Sequence, residues 1–346
     1  MKKNILGLLV LTLCLACTPA LAQETATVYV NGTALVTDQP AIIVDDRTLV
    51  PLRAIFEALG AKVDWIQETE TVLAQKRTTT ISLQIESNRL YVNGVGVEID
   101  VPAQLVNDRT LVPVRAISEA LGASVLWDQE TSTVTIVGAQ GDHAVTDKYL
   151  TYKEQMIDAD GTAIDLLSIS CAYPELANPD NNPVIAQLNT MFASSANQFM
   201  EDSKATYLQA AKNEYAASLQ NGFLFVPYTI SRTFDIPYDK NGILSIFWED
   251  YRYAGGISPE IGRLSVTYDM GNGQALDLAA LASLTPHDIT GLYTLAAQQF
   301  ASQTQSALPD MQTAGYYLSD AGIVFYLNPA QVTPQPEGVL ETTIAY

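Results

Sequence analysis

The residues of this chain that could do chemistry are few: His143, His287, Cys171 and several groups of acids. A three-histidine copper site cannot be built from two imidazoles, and no metal and no cofactor is expected. Cys171 falls with Leu167, Ile169 and Tyr173 on the apolar side of an alternating run, where a thiol packs as a small hydrophobe. His287 stands in Thr285-Pro286-His287-Asp288, which reads as a capping box opening a helix to about Thr304, with the imidazole in its solvated first turn. Asp158-Ala159-Asp160-Gly161 looks like the start of a calcium loop. It lacks the third carboxylate and the distal Glu, because Ile169 takes that place, so a hairpin turn is expected. The same holds for Asp239-Lys240-Asn241-Gly242 and for residues 269–273. Glu249, Asp250 and Glu260 are acids of the type that work in pairs in glycoside hydrolysis, although acids in loops are ordinarily solvated charges.

The remaining candidate is a contact surface. Tyr251 and Tyr253 lead into Gly255, Gly256 and Pro259, and aromatic side chains beside a glycine-rich loop suit recognition. Turn architecture explains the glycines equally well. No catalytic residue is assigned.

These residues must be positioned by the elements around them. Residues 149–157 and 162–173 read as strands, and Ile185, Leu188, Phe192 and Phe199 mark one face of a long helix from Pro183 to about Leu219, closed by Asn221-Gly222. Residues 223–236, 243–253 and 263–268 then form an antiparallel meander with glycine-rich turns. Further strands are expected at 322–327 and 341–346.

The first half is organised differently, because it repeats itself. Residues 46–65 and 108–127 agree at 16 of 20 positions, 62 residues apart, and Tyr29-Val30-Asn31-Gly32 recurs as Tyr91-Val92-Asn93-Gly94. Each copy reads as strands, a short helix, then strands. Pro51 sits at the first helical position, Ile55, Phe56 and Leu59 form an apolar face, and Gly60 is a left-handed cap. Such units bury their apolar faces against each other. The charges of Asp46/Arg47, Asp108/Arg109, Arg53 and Arg115 are expected to pair locally.

Composition bounds the setting. Lys2 and Lys3 precede an apolar run at 5–16, and Ala20-Leu21-Ala22 offers small residues for cleavage, as in a secretory signal peptide cut after Ala22. A lipoprotein signal ending at Cys17 is the rival reading. Either way Cys14 and Cys17 leave with the leader, so Cys171 has no intrachain partner. No later stretch is long and apolar enough to span a membrane. The net charge of −20 becomes −22 without the two lysines, of which residues 139–346 hold −15. That surface repels nucleic acid and attracts basic partners.

Two families enter here. "RTLVPLRAIFEALGA" at 47–61 and "RTLVPVRAISEALGA" at 109–123, each followed by a tryptophan, resemble the copper amine oxidase N-terminal-like domain, a stalk-type module. The copper chemistry of that name does not carry over. "AYPEL" at 172–176, "YRYAGGISPEIG" at 251–262, "LDLAAL" at 276–281 and "GIVFYLNPAQVTP" at 322–334 resemble the extracellular domain of lysozyme-sensing anti-sigma factors (RsiV-like), also an accessory domain of peptidoglycan deacetylases. In that family the glycine motif usually continues with Ala-His. Here Ile257-Ser258 follow Gly256, so any role of that imidazole does not transfer.

The expectation is therefore an α+β protein: signal peptide 1–22, a small tandem-repeat α+β domain at 23–138, a linker at 139–147, and at 148–346 an antiparallel-sheet α+β domain with one long helix. Its function reads as non-catalytic binding or sensing by a protein that is secreted or associated with the cell surface or wall, with lysozyme, another basic protein or peptidoglycan as partner. A hydrolase using paired carboxylates and a purely structural surface protein are the alternatives.

Overall fold

The computed structural model describes residues 24–138, 141–158, 160–304 and 307–346. The leader expected at 1–22, with its cleavage site and Cys17, lies outside them. Among the described residues no helix is long and apolar enough to cross a membrane.

The first half opens with β1 (Thr25–Val30), β2 (Thr33–Ala34), β3 (Ala41–Val44), β4 (Arg47–Pro51), α1 (Leu52–Ala58), β5 (Lys62–Ile66), β6 (Thr71–Lys76) and β7 (Thr79–Gln84). The second copy supplies β8 (Arg89–Val92), β9 (Val95–Glu98), β10 (Gln104–Val106), β11 (Arg109–Pro113), α2 (Val114–Ala120), β12 (Ser124–Asp128) and β13 (Thr133–Val137). One sheet runs β10-β11-β4-β3-β1-β13-β12, with β2 beside β1, and a second runs β5-β6-β7-β8-β9. The β3–β4 and β10–β11 hairpins turn on Asp45-Asp46 and Asn107-Asp108, all four with positive φ. A two-residue turn that matches strand twist requires this conformation, and Asp and Asn tolerate it. Pro51 proves to be the helix N-cap and the last strand residue rather than the first helical one. It ends a ladder that its missing N–H could not extend.

The copies are related by a local two-fold axis. Antiparallel pairing of β4 with β11 sets Val50 opposite Val112, which are equivalent positions of the repeat. The charges follow the axis: Arg47 reaches Asp100 at 2.6 Å, and Arg109 reaches Asp38 at 2.5 Å. These arginines therefore pair across the repeats and not locally, because the antiparallel ladder carries each hairpin over its neighbour. Arg53 and Arg115 do pair locally, with Glu57 and Glu119 one helical turn on. Ile55, Phe56 and Leu59 are buried in one core with Ile117 and Leu121. The symmetry breaks at β7. In copy one β7 separates β6 from β8, whereas in copy two β13 pairs directly and in parallel with β1.

The second half contains β14 (Val145–Ile157), β15 (Ala163–Leu176), α3 (Pro183–Asn221), β16 (Tyr228–Lys240), β17 (Ile243–Tyr253), β18 (Glu260–Asp269) and β19 (Ala275–Leu276), in that order across one sheet, with α3 lying on it. Strand β14 takes in residues 145–147 that read as linker. Asn182 caps α3 by accepting from Val184 N at 2.9 Å, and Gly222, with φ +73°, closes it. Ile185, Leu188, Phe192 and Phe199 are all buried. The sheet is not purely antiparallel. Strands β15 and β16 are parallel, since the chain crosses over through α3 between them. Strand β16 starts at Tyr228 rather than at residue 223, directly after Pro227, which has no N–H for a ladder.

Finally α4 (Leu278–Ala282), α5 (Ile289–Gln303), β20 (Gly315–Ser319), β21 (Gly322–Leu327) and β22 (Leu340–Ala345) form a small three-stranded layer with its own core around Leu292, Phe300 and Phe325. Phe247 of the large sheet packs against Tyr317 and Tyr326 of this layer. Helix α5 begins three residues later than its sequence pattern implies. Asp288 is the N-cap, accepting from Gly291 N at 2.7 Å, and His287 lies half-buried before the helix. Thr285 instead accepts from His287 N in the preceding turn.

Candidate functional site

Strands β17 and β18 and the loop 254–259 between them hold all the contact residues named from sequence. Side chains alternate along a strand. Tyr251 and Tyr253 therefore share one face of β17, and Asp250 and Arg252 share the other, towards α3. Across the sheet Tyr251 stands beside Ser231 and then Ser170, and Tyr253 beside Thr229 and then Ser168. The tyrosines thus border a patch of small neutral hydroxyls, remote in character from the acidic surface elsewhere.

The loop is braced. Gly255 and Gly256 hold φ +85° and +92°, and a Cβ on Gly255 would come within 2.7 Å of Glu214 Oε2 on α3. Only glycine fits there without displacing that carboxylate. Tyr253 Oη donates to the Gly256 carbonyl at 3.2 Å, and Tyr228 Oη donates to Glu214 at 2.5 Å. Burial, helped by that hydrogen bond, pushes the Tyr228 phenol up to about 12. Helix, strand and loop are tied together, and the tip they hold up is Ile257, fully exposed to solvent. Tyr251 is exposed, and Pro259 is half-buried at the base of the loop. All five residues are brought to one end of the sheet.

The carboxylates fare differently. Glu249 and Asp250 are neighbours on a strand and point to opposite faces. Asp250 is 2% exposed. Arg232 grips it bidentately, Nε to Oδ1 at 2.6 Å and Nη2 to Oδ2 at 2.8 Å, and Arg252 donates to it as well. The Arg232 guanidinium also lies over the Phe199 ring at 4.3 Å. Glu249 is held by Arg263 at 2.7 Å, and Arg263 also bonds Glu341. Burial works against the Arg263 charge, but Glu341 and Glu249 outweigh it and raise its pKa. Glu260 is exposed and faces Arg252 in the strand register. The geometry does not assemble Glu249 and Asp250 into a pair on one cleft. Arg232 and Arg252 escaped the sequence reading. Strand parity was the available signal, because Asp250 and Arg252 fall in step with Leu244, Ile246 and Trp248.

The turn readings hold in detail: the Asp158 carboxylate accepts from the backbone N–H groups of Asp160 and Thr162, and Asn241-Gly242 turns the β16–β17 hairpin with positive φ at both residues. Cys171 is buried, and its thiol is pushed up to about 12 by that burial. His143 Nδ1 lies 2.7 Å from Asp239 Oδ1, joining the segment before β14 to β16.

Two families match this chain. Residues 29–136 match the family described as copper amine oxidase N-terminal domain, and residues 162–259 match the one described as deacetylase PdaC. Among solved structures the chain is similar to a DUF3298-family protein from Bacteroides fragilis, at 20% identity and TM-score 0.44, covering 60% of this chain and 92% of that one. A DUF3298-family protein from Pseudomonas aeruginosa aligns at 13% identity and TM-score 0.35, covering 59% and 92%. No curated protein matches.

Proposed function

We propose that the chain is an exported, non-catalytic binding or sensing protein of the cell envelope. The repeat half serves as a stalk or adhesive module and the C-terminal half as the recognition module. The carrying observation is the braced β17–β18 loop, which presents a fully exposed Ile257 beside Tyr251 and Tyr253. A hydrophobic tip held rigid in water loses little entropy when a partner covers it, which favours binding. The net charge of −15 over residues 139–346 favours a basic partner, and resemblance to the lysozyme-sensing family makes a lysozyme the first candidate, with peptidoglycan the second.

The test is surface plasmon resonance of the mature chain against lysozyme, against a basic control protein of similar size and charge, and sedimentation with purified peptidoglycan. Salt should slow association with lysozyme strongly and dissociation little. Tyr253→Ala should raise the off-rate. Equal binding of the control protein would reduce the effect to nonspecific attraction, and absence of both lysozyme and peptidoglycan binding at low salt would sink the reading.

A further inference from the structure

We propose that the repeat half carries a second binding site, a groove beside α1 that takes a peptide segment bearing lysine or arginine side chains. The groove has a volume of about 820 Å³ and is bordered by α1, β5 and the β10–β11 hairpin. Its size falls within the range of ligand pockets, roughly 300–1,000 Å³. Trp65 lines it and is 40% exposed, with its indole Nε1–H donated to Gln67 Oε1 at 3.0 Å. That bond fixes the ring while leaving ring surface in contact with water. Val36 and Leu105, 91% and 64% exposed, add aliphatic surface at the same groove.

Charge selects the occupant. Five carboxylates and two guanidiniums line the groove. Arg109 is spent on Asp38 at 2.5 Å, and Arg53 lies 3.8 Å from Glu57. Asp64 and Glu70 have no ion-pair partner among the described residues, and Asp108 feels the Arg109 charge only from beside it, since that guanidinium is bonded to Asp38. Exposed aliphatic and indole surface surrounded by unpaired acids matches a side chain with a hydrocarbon stem and a cationic head. A sugar would set its hydroxyls against Val36, Leu105 and Ile85 and leave them unpaired. The aliphatic lining therefore favours peptide over an amino-sugar chain of the same charge.

The repeat supplies its own comparison. The two-fold-related surface keeps Trp127, also 40% exposed, together with Arg115, Glu119 and Asp46. There, however, Leu126 stands in place of Asp64 and Ser132 in place of Glu70. The wall that Ile85 provides after β7 has no counterpart, because β13 pairs directly with β1. One scaffold carries both tryptophans, and Trp65 is the one with Asp64 and Glu70 beside it.

The experiment is ¹H–¹⁵N correlation of the indole signals in the full mature chain, assigned with Trp65→Phe and Trp127→Phe. The titrant is a blocked pentapeptide alternating lysine and leucine, with the same peptide carrying glutamine for lysine, and a glucosamine trimer with free amines, as comparisons. The lysine peptide should shift the Trp65 indole and leave that of Trp127 in place, and the glutamine peptide should do neither. Glu70→Gln with Asp108→Asn, both exposed changes that leave the thermal melt unaltered, should weaken binding about tenfold, as expected for losing two exposed ion-pair contacts with the peptide cations. An unmoved Trp65 signal, equal shifts at both tryptophans, or a response to the glucosamine trimer but not to the peptide would each overturn the proposal. Because the readout is Trp65, the outcome is independent of whether the β17–β18 loop binds lysozyme.

Discussion

Asp250 shows what a single side chain can conceal. Read along the chain it is one acid among many in a negatively charged half. In the fold it is buried, and two arginines converge on it. Removing a partner from such a pair leaves an uncompensated charge, so Asp250→Ala should cost about 3–5 kcal/mol, measured by urea denaturation. A cost below that of a surface substitution would mean that the arginines find other acceptors. Cys171 makes a second residue-scale prediction. Its thiol is held neutral by burial, with a pKa near 12 against an ordinary value of 9.0. The native protein should therefore resist thiol reagents at pH 8 and react only on unfolding. A folded pKa above the unfolded one leaves stability unaffected below the unfolded value and lowers it above. The urea midpoint should accordingly hold level up to about pH 9 and fall from there towards pH 12. The burial of Cys171 was legible from its alternating neighbours. That of Asp250 was equally encoded in strand parity, but a carboxylate's usual preference for water masked it.

The elements test how far a repeat constrains its copies. Phe56 and Ser118 are equivalent residues, and both are fully buried, one a large ring and the other a hydroxyl. The Ser118 Oγ has no hydrogen-bond partner. An unsatisfied buried hydroxyl is costly, so Ser118→Ala should raise stability by about 1 kcal/mol. Phe56→Ala, which empties the matching place in copy one, should lower it by about 3–5 kcal/mol. Both are checked by thermal or urea unfolding, and a destabilising Ser118→Ala would mean that the hydroxyl is satisfied by water. Helix faces, glycine helix stops and most hairpins could be read locally, because period and turn chemistry are local signals, whereas the N-terminal caps of α1 and α5 each lay away from the expected residue. The alternation of Ile81, Leu83 and Ile85 marks β7 as a strand, but its place between β6 and β8, the parallel β15–β16 pair and the crossed Arg47–Asp100 and Arg109–Asp38 bridges could not be read, since each depends on which strands meet.

At the scale of the molecule, the two halves are joined by more than the chain. Arg77, at the tip of the β6–β7 hairpin with φ +50°, lies 3.2 Å from Asp147 and 3.5 Å from Asp235 and sits over the Phe234 ring at 5.0 Å. Lys62 lies 4.0 Å from the centre of the Tyr149 ring. Lys76 beside this joint has a lowered pKa, from burial first and from the Arg77 charge second. Arg77→Ala should therefore loosen the joint without unfolding either half. The expected signs are a larger radius of gyration in small-angle scattering and faster proteolysis between the halves, with an unchanged far-ultraviolet spectrum. Unchanged scattering would assign the joint to Lys62 and the connecting segment. The two family resemblances and their order along the chain were legible from the repeat and from the short motifs of the second half. The joint was not, because Arg77 and Lys62 stand in hairpins with no special sequence signal.

The parallel pairing of β1 with β13 has a mechanical consequence. These strands open and close the repeat half, and they lie side by side, running in the same direction. Tension along the chain would enter at the start of β1 and leave at the end of β13, pulling the two strands past each other. The load then falls on all their cross-strand hydrogen bonds at once rather than on one bond after another, as it would if an antiparallel pair were peeled open. A module stretched in this way yields at high force and over a short distance. The proposed stalk role would draw on this resistance to stretching.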